Sequence, residues 1–149
     1  MLFELVTKQN IDIAAEIHAI SWRESHKSFC SREFVEAHTT ERQMKYIEKE
    51  IERGKTFYIL FDTTAKGIVS IKDDLIEDLY VLPSEQRKGY GSNLLKYAES
   101  KCQGIPTLWI LSNNIAAKSL YVKHGYTFTG NVKVLNNELQ EMEMKLARM

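Results

Sequence analysis

The chain has little to crosslink it and nothing to anchor it. Its two cysteines, Cys30 and Cys102, are too few for a disulfide framework and lack the Cys-x-x-Cys spacing of a metal or redox site. Cys102 falls on an apolar helix face and reads as core, while Cys30 has no base beside it to make a reactive thiolate. No apolar run approaches the roughly 20 residues that span a bilayer, and the N-terminus lacks the basic-then-apolar order of a signal peptide. A cytoplasmic location without a membrane partner is the expectation. Net charge is missing too: 20 basic and 20 acidic residues sum to zero, so no global field recruits nucleic acid. There is no internal repeat, low-complexity tract or linker, and no cluster with metal-ligand spacing. At 149 residues, 44% hydrophobic and 27% charged, the chain reads as one domain, 1–149, long enough to bury a core.

Periodicity supplies the elements. Met1 to Val6 reads as a strand, and Ile13, Ile17 and Ile20 mark an amphipathic helix from Ile11 to Trp22. A short helical turn from Ser31 precedes a second helix, with Thr40 and Gln43 as a capping box, Met44, Ile47 and Ile51 on one face, and Gly54 as its stop. Thr56 to Asp62, Gly67 to Ile71 and Leu75 to Leu82 form a three-strand meander with turns at Thr63 to Lys66 and at Asp73-Asp74. A helix with Leu94, Leu95, Ala98 and Cys102 inward follows, ended by Gly104-Ile105-Pro106. Thr107 to Leu111 reads as a strand buried on both sides, Ile115 to His124 as a helix, and Tyr126 to Val134 with Glu138 to Lys145 as a closing antiparallel pair.

Between a strand and a helix lies Gln86-Arg87-Lys88-Gly89-Tyr90-Gly91-Ser92. A helix start leaves N–H groups unpartnered and carries partial positive charge; Gly89 and Gly91 let that backbone approach a ligand, and Arg87 and Lys88 add full charges. The loop suits a diphosphate. It is not a nucleotide-triphosphatase loop, because Gly91 is followed by Ser92 and Asn93 rather than Lys and Ser/Thr. The dinucleotide fingerprint fits poorly, since Leu94 stands where a small residue is needed.

Q-x-x-G-x-G after Leu79-Tyr80-Val81, followed by Asn114 to Tyr126 in the pattern N-x-x-A-x-x-L-Y-x-K-x-G-[FY], resembles the GNAT acetyltransferase superfamily. The likeness is carried by about Phe57 to Leu146. It implies an α/β fold, a mixed, mostly antiparallel central sheet flanked by helices, in the order β-α-α-β-β-β-α-β-α-β-β. It also implies acetyl-coenzyme A as cosubstrate, held by Leu79, Tyr80, Val81, Gln86, Arg87, Lys88, Gly89, Tyr90, Gly91, Ser92, Asn114 and Lys123, with no metal. In the family the strands on either side of the loop helix splay apart, so that pantetheine lies against Leu79 to Leu82 and the Val81 N–H meets the thioester oxygen.

Acetyl transfer to an amine needs a base, because an amine of pKa about 10 arrives protonated, and an acid for the departing thiolate. The resemblance gives Tyr121 as the acid and Glu77 as the base. Strand alternation places Glu77 with Leu79 and Val81 on one face and Asp78 with Tyr80 on the other. Asp73, Asp74, Glu77 and Asp78 form an acidic cluster that would favour a small cationic amine, or simply a hairpin turn; Trp22, His26 and Phe29 are the other acceptor candidates, with Asp78. The expected protein is an acetyl-coenzyme A-dependent N-acetyltransferase acting by direct attack on a small-molecule amine, with a homodimer left open. A non-catalytic acyl-coenzyme A sensor and a protein N-terminal acetyltransferase are the alternatives.

Overall fold

The computed structural model describes residues 1–136 and 139–147. The elements run β1 (Leu2–Leu5), α1 (Ile11–His26), α2 (Arg32–Glu36), α3 (Thr40–Glu52), β2 (Thr56–Asp62), β3 (Thr64–Lys72), β4 (Leu75–Val81), a single 3-10 turn (Pro83–Glu85), α4 (Tyr90–Lys101), β5 (Thr107–Leu111), α5 (Ile115–Lys123), β6 (Tyr126–Val134) and β7 (Gln140–Leu146). One seven-stranded sheet takes the order β1-β2-β3-β4-β5-β7-β6. Every neighbouring pair is antiparallel except β4 and β5, which run parallel. This is the mixed, mostly antiparallel α/β architecture expected from the sequence.

The sheet buries both faces because its strands alternate. Ile59 and Ile68 turn towards α1 and α3, packing with Ala14, Ala15, Ile17 and Ile47. Their neighbours Leu60 and Val69 turn the other way, onto Leu94, Leu95 and Ala98 of α4. Leu94 and Leu95 are fully buried, each contributing about 1.5–3 kcal/mol. That docking fixes where α4 starts, and hence where its free N–H groups point.

Several elements depart from the sequence pattern, each for a local reason. α1 continues to His26, so the polar, aromatic residues after Trp22 are helical and Trp22 and His26 share a face. Thr39, not Thr40, caps α3, its hydroxyl accepting from the Arg42 N–H at 3.2 Å. The β2–β3 turn is tighter than predicted: Thr63 alone, at φ 69°, separates the strands. α4 begins at Tyr90, within the glycine loop, because Gly89 adopts the left-handed conformation just before it. β5 buries Leu108 and Ile110 on one face only; on the other, Trp109 carries the Lys133 ammonium 4.1 Å from its ring centroid. The predicted start of the last strand, Glu138, lies outside the described residues.

The departure that matters most is in β4. Ser70 pairs with Glu77 and Ile68 with Tyr80, so between these pairs one residue of β3, Val69, opposes two of β4, Asp78 and Leu79. The extra residue is Asp78, at φ 48°. A bulge reverses the alternation beyond it. Leu79 and Val81 therefore pack with Ile76 against the α4 core and Tyr80 packs towards α1 and α3. Glu77 does not share a face with Leu79 and Val81, as simple alternation predicts; Glu77 and Asp78 both reach Lys55, on the same side of the sheet.

Where β3 passes beneath this strand only glycine fits: a Cβ on Gly67 would abut the Tyr80 carbonyl oxygen and lie 2.8 Å from Cδ1 of Leu94. Gly67→Ala is expected to lower Tm by roughly 3–10 °C, or about 1–3 kcal/mol, by prising β3 from β4 and α4. Calorimetric unfolding of the variant beside wild type checks this.

Candidate active site

β4 and β5 are joined at a single register pair, Leu75 and Thr107, with the Thr107 N–H donating to the Asp74 carbonyl at 2.9 Å. Beyond it the two strands have no pairing, and a seam opens along Glu77 to Val81. The Leu82 N–H donates to Lys66 on β3 at 2.9 Å. Alternate residues of a strand direct their N–H groups to opposite edges, so the Val81 N–H points into the seam. The Val81 carbonyl accepts from Nε2 of Gln86 at 3.3 Å and from the Ser21 hydroxyl at 3.4 Å. Gln86 thus ties the glycine loop to the strand end.

At the loop itself, Arg87 (φ 65°) and Gly89 (φ 90°) are both left-handed, and no side chain caps α4. The N–H groups of Tyr90, Gly91 and Ser92 therefore open the helix as unpartnered donors. A Cβ on Gly89 would meet nothing within 4 Å; one on Gly91 would meet Leu120 of α5 at 3.4 Å. Gly91 is helical and shows no left-handed φ, so it serves helix packing, whereas Gly89 serves the turn. Lys88 is paired with Glu85 at 2.9 Å, and the Tyr90 hydroxyl donates to Asp62 at 2.8 Å. Arg87 is exposed, with no ion pair among the described residues. Ser92 meets Nε2 of His124 at 2.8 Å, linking the start of α4 to the end of α5; Lys123, one residue before, is exposed.

α5 carries the second motif. Asn114 caps it, its Oδ1 accepting from the Ala117 N–H at 3.0 Å. Tyr121 projects inward, 8% exposed, among the residues of the α4 core. Its nearest ring is Tyr126, 5.9 Å between centroids. Its hydroxyl has no hydrogen-bond partner among the described residues, and burial pushes its pKa up to about 12. Leu79 and Val81 border the same core.

Across the sheet lies a cavity of about 290 Å³ lined by His18, Trp22, His38, Arg42, Gln43, Tyr46, Asp78 and Tyr80. Trp22 is sandwiched between two imidazoles: His26 at 3.9 Å and 9°, and His38 at 3.5 Å and 11°. Phe29 touches this stack only through His26, at 5.2 Å, and is 39% exposed. The structure thus brings Trp22, Asp78 and Tyr80 to the cavity; His26 and Phe29 are outside its lining.

Asp78 is the electrostatic centre. Its Oδ1 accepts from Nε2 of His18 at 3.2 Å and the Tyr46 hydroxyl at 2.9 Å, and its Oδ2 from Lys55 at 3.0 Å and the Ser70 hydroxyl at 2.6 Å. Burial alone would raise its pKa, but the His18 bond, the Lys55 charge and the Ser70 bond outweigh it and hold the carboxyl well below the usual range. Burial would lower that of Lys55, but Asp78 and the other oxygens around it keep the ammonium charged. Gln43 donates to Nδ1 of His18 at 2.7 Å, which leaves the ring proton on Nε2, facing Asp78.

The acidic cluster suggested by the sequence does not form. Asp74 accepts from the N–H groups of Gln103 and Gly104 at the closed end of the β4–β5 seam, and Asp73 makes the turn there at φ 55°. Glu77 pairs with Lys55 at 3.1 Å and does not line the cavity. Conversely, sequence reading missed His18, His38, Arg42, Gln43 and Tyr46. His18 was detectable as the residue four before Trp22 on the same helix face; His38 lies outside regular structure and carries no pattern.

A parallel strand pair open at one end thus lies beside an uncapped helix start and a buried tyrosine that shares a core with Leu79 and Val81. Residues 46–128, more than half of the chain, match the family described as Acetyltransferase (GNAT) domain, and the chain belongs to that family. Among curated proteins no sequence matches it. Solved structures with the same fold include the PaiA N-acetyltransferase of Thermoplasma acidophilum in complex with coenzyme A (21% identity, 96% of this chain and 98% of that one, TM-score 0.68). YncA of Salmonella typhimurium with acetyl-CoA is similar as well (19%, 98% and 92%, TM-score 0.70), as is the ribosomal-protein-alanine N-acetyltransferase of Brucella melitensis (14%, 99% and 100%, TM-score 0.69).

Asp78→Asn is expected to cost about 3 kcal/mol at pH 7, because buried Lys55 loses its closest and most buried carboxylate and keeps the more exposed Glu77 at 3.1 Å and Glu50 at 3.5 Å. The sign with pH follows from the depressed pKa: Asp78 contributes fully above about pH 4, near its unfolded value, and its contribution falls as acid protonates it. Urea unfolding between pH 7 and 2 should show wild type losing its advantage over the variant below pH 4.

Proposed function

We propose that the protein is a cytoplasmic N-acetyltransferase that transfers the acetyl group of acetyl-coenzyme A directly to the primary amine of a small molecule. The observation that carries this reading is the open β4–β5 seam, reached by the uncapped start of α4 and Tyr121 on one face and by the cavity on the other. When bound, acetyl-coenzyme A supplies the acetyl group as an activated thioester. The residues present fit it: free N–H groups at Tyr90 to Ser92, the left-handed Gly89 and the exposed Arg87 suit a pyrophosphate. The edge of Leu79 to Val81 suits an extended amide chain, with Asn114 and Lys123 near the opposite wall on α5.

The Val81 N–H is placed to stabilise negative charge as it develops on the acyl oxygen. Tyr121, its pKa raised to about 12, remains protonated throughout the neutral range and can give a proton to sulfur. The acceptor, cationic in its resting ammonium form, enters by the cavity, whose volume of about 290 Å³ suits a small molecule. Its only carboxylate, Asp78, is already neutralised by Lys55, and Arg42 has no ion pair among the described residues. The acidic cluster therefore lends no support to a polycation. Glu77 is paired with Lys55, which weighs against its carboxylate as the base.

A free-thiol assay of coenzyme A release across a panel of small amines tests the reaction. Tyr121→Phe should lower turnover about 10²-fold or more with coenzyme affinity nearly unchanged; equal turnover would remove Tyr121 from the acid role. Gly89→Val forces a β-branched residue into a left-handed φ and should abolish coenzyme binding by calorimetry while the far-UV spectrum stays folded. Normal binding by that variant would disprove the loop assignment, and coenzyme binding without release to any amine would favour a sensor.

A further inference from the structure

We infer that His38 is the group that takes the proton from the acceptor amine. This rests on the acetyl-transfer reading above and deepens it. His38 lies in the link between α2 and α3, is 8% exposed, and lines the cavity. Its Nδ1 is 2.9 Å from the Phe34 carbonyl oxygen. A carbonyl can only accept, so the ring proton is on Nδ1 and Nε2 carries the lone pair. The ring is held flat on Trp22 at 3.5 Å, edged by Phe34 at 5.0 Å, and its own carbonyl accepts from Arg23 at 2.6 Å. No hydrogen bond among the described residues occupies Nε2. The other imidazoles are unsuited: both nitrogens of His18 are committed, and His26 is on the far face of Trp22, outside the cavity.

The surroundings keep this ring neutral. Facing it are His18 and Arg23 from α1, Arg42 and Tyr46 from α3, and Asp78 and Tyr80 from β4, with His26 of α1 stacked beyond Trp22; Phe34 of α2 brings no charge. Burial lowers its pKa below 6.5, the Phe34 bond opposes that, and the charges of Arg42, His18 and Arg23 reinforce it. At pH 7 a neutral imidazole can accept a proton.

The step balances without an oxidant or reductant. One N–H bond of the ammonium breaks and an Nε2–H bond forms, leaving imidazolium and a neutral amine. The amine lone pair forms the C–N bond to the acetyl carbon, the C–S bond breaks, and sulfur takes the Tyr121 proton. The second proton shed by nitrogen restores the tyrosine through solvent, and His38 releases its own to water.

Two measurements test this. Imidazole ¹⁵N spectra of the ligand-free wild-type protein between pH 4 and 8 should show His38 as the Nδ1–H tautomer with a midpoint below 6.5; an Nε2–H tautomer, or a midpoint above 6.5, overturns the inference whatever the turnover. With an amine that wild type acetylates, His38→Asn should lower kcat about 10²-fold with coenzyme affinity and Tm unchanged. It should abolish the acid limb of the kcat profile, and added imidazole should restore part of the rate. Full activity, or a lost rate with the acid limb intact and no imidazole rescue, overturns the inference while leaving acetyl transfer standing. Wild type silent on every amine removes both.

Discussion

The buried contact between Asp78 and Lys55 organises the middle of this molecule. A non-glycine residue at φ 48° costs of the order of 1 kcal/mol or more, and an isolated buried carboxylate costs far more. Neither would persist without the donors of His18, Tyr46, Lys55 and Ser70 around it. Because those donors come from α1, α3, the residue just before β2, and β3, one carboxylate fastens both helices to the sheet. It also makes the bulge the favoured path of β4.

That bulge has a consequence at the opposite edge of the strand. An extra residue increases local twist and bends the strand that carries it, and β4 parts from β5 after one register pair. A fully paired parallel strand would have consumed the Val81 N–H in its ladder. The opening thus coexists with a sheet that is otherwise continuous from β1 to β6, and α4 packs against the opened strand through residues that are fully buried. A rigid frame with one unpaired edge suits a site that must receive an extended chain on one face and an amine on the other.

How much of this was legible in the sequence depended on how local its cause was. The glycine loop and the Asn114 to Tyr126 motif were readable because their residue types answer requirements of the adjoining backbone: a left-handed Gly89, a capping Asn114, an inward Tyr121. The bulge was not, because an aspartate in a strand looks like an ordinary solvent-facing position; only its partners, from 8 to 60 residues away in the chain, reveal that it points inward. The acidic run stayed open to two readings, a cluster or a hairpin turn, for the same reason. Asp73, Asp74, Glu77 and Asp78 are adjacent in sequence, but the strand carries the first two to the closed end of the seam and the bulge turns the last into the interior. His38 was invisible for a related reason: its stack on Trp22 depends on α1 continuing to His26 and on the turn before α3.

The resulting electrostatics bear on the chemistry more than any single contact does. A cavity walled by free carboxylates would bind an ammonium well and hold its proton tightly, since a nearby opposite charge favours the charged form. Such a cavity would improve affinity at the expense of the nucleophile. Here, among the described residues, the cavity's one carboxylate is paired with Lys55 and Arg42 has no ion pair. A like charge beside an amine disfavours its protonated form, and so does partial desolvation among Trp22, Tyr46 and Tyr80. Both effects lower the work of removing the proton. In the proposed reaction, a neutral imidazole beside Trp22, whose own pKa is lowered by burial and by the same arginine, would face an amine displaced in the same direction. Donor and acceptor are shifted together, which keeps the transfer between them less uphill than their values in water would make it.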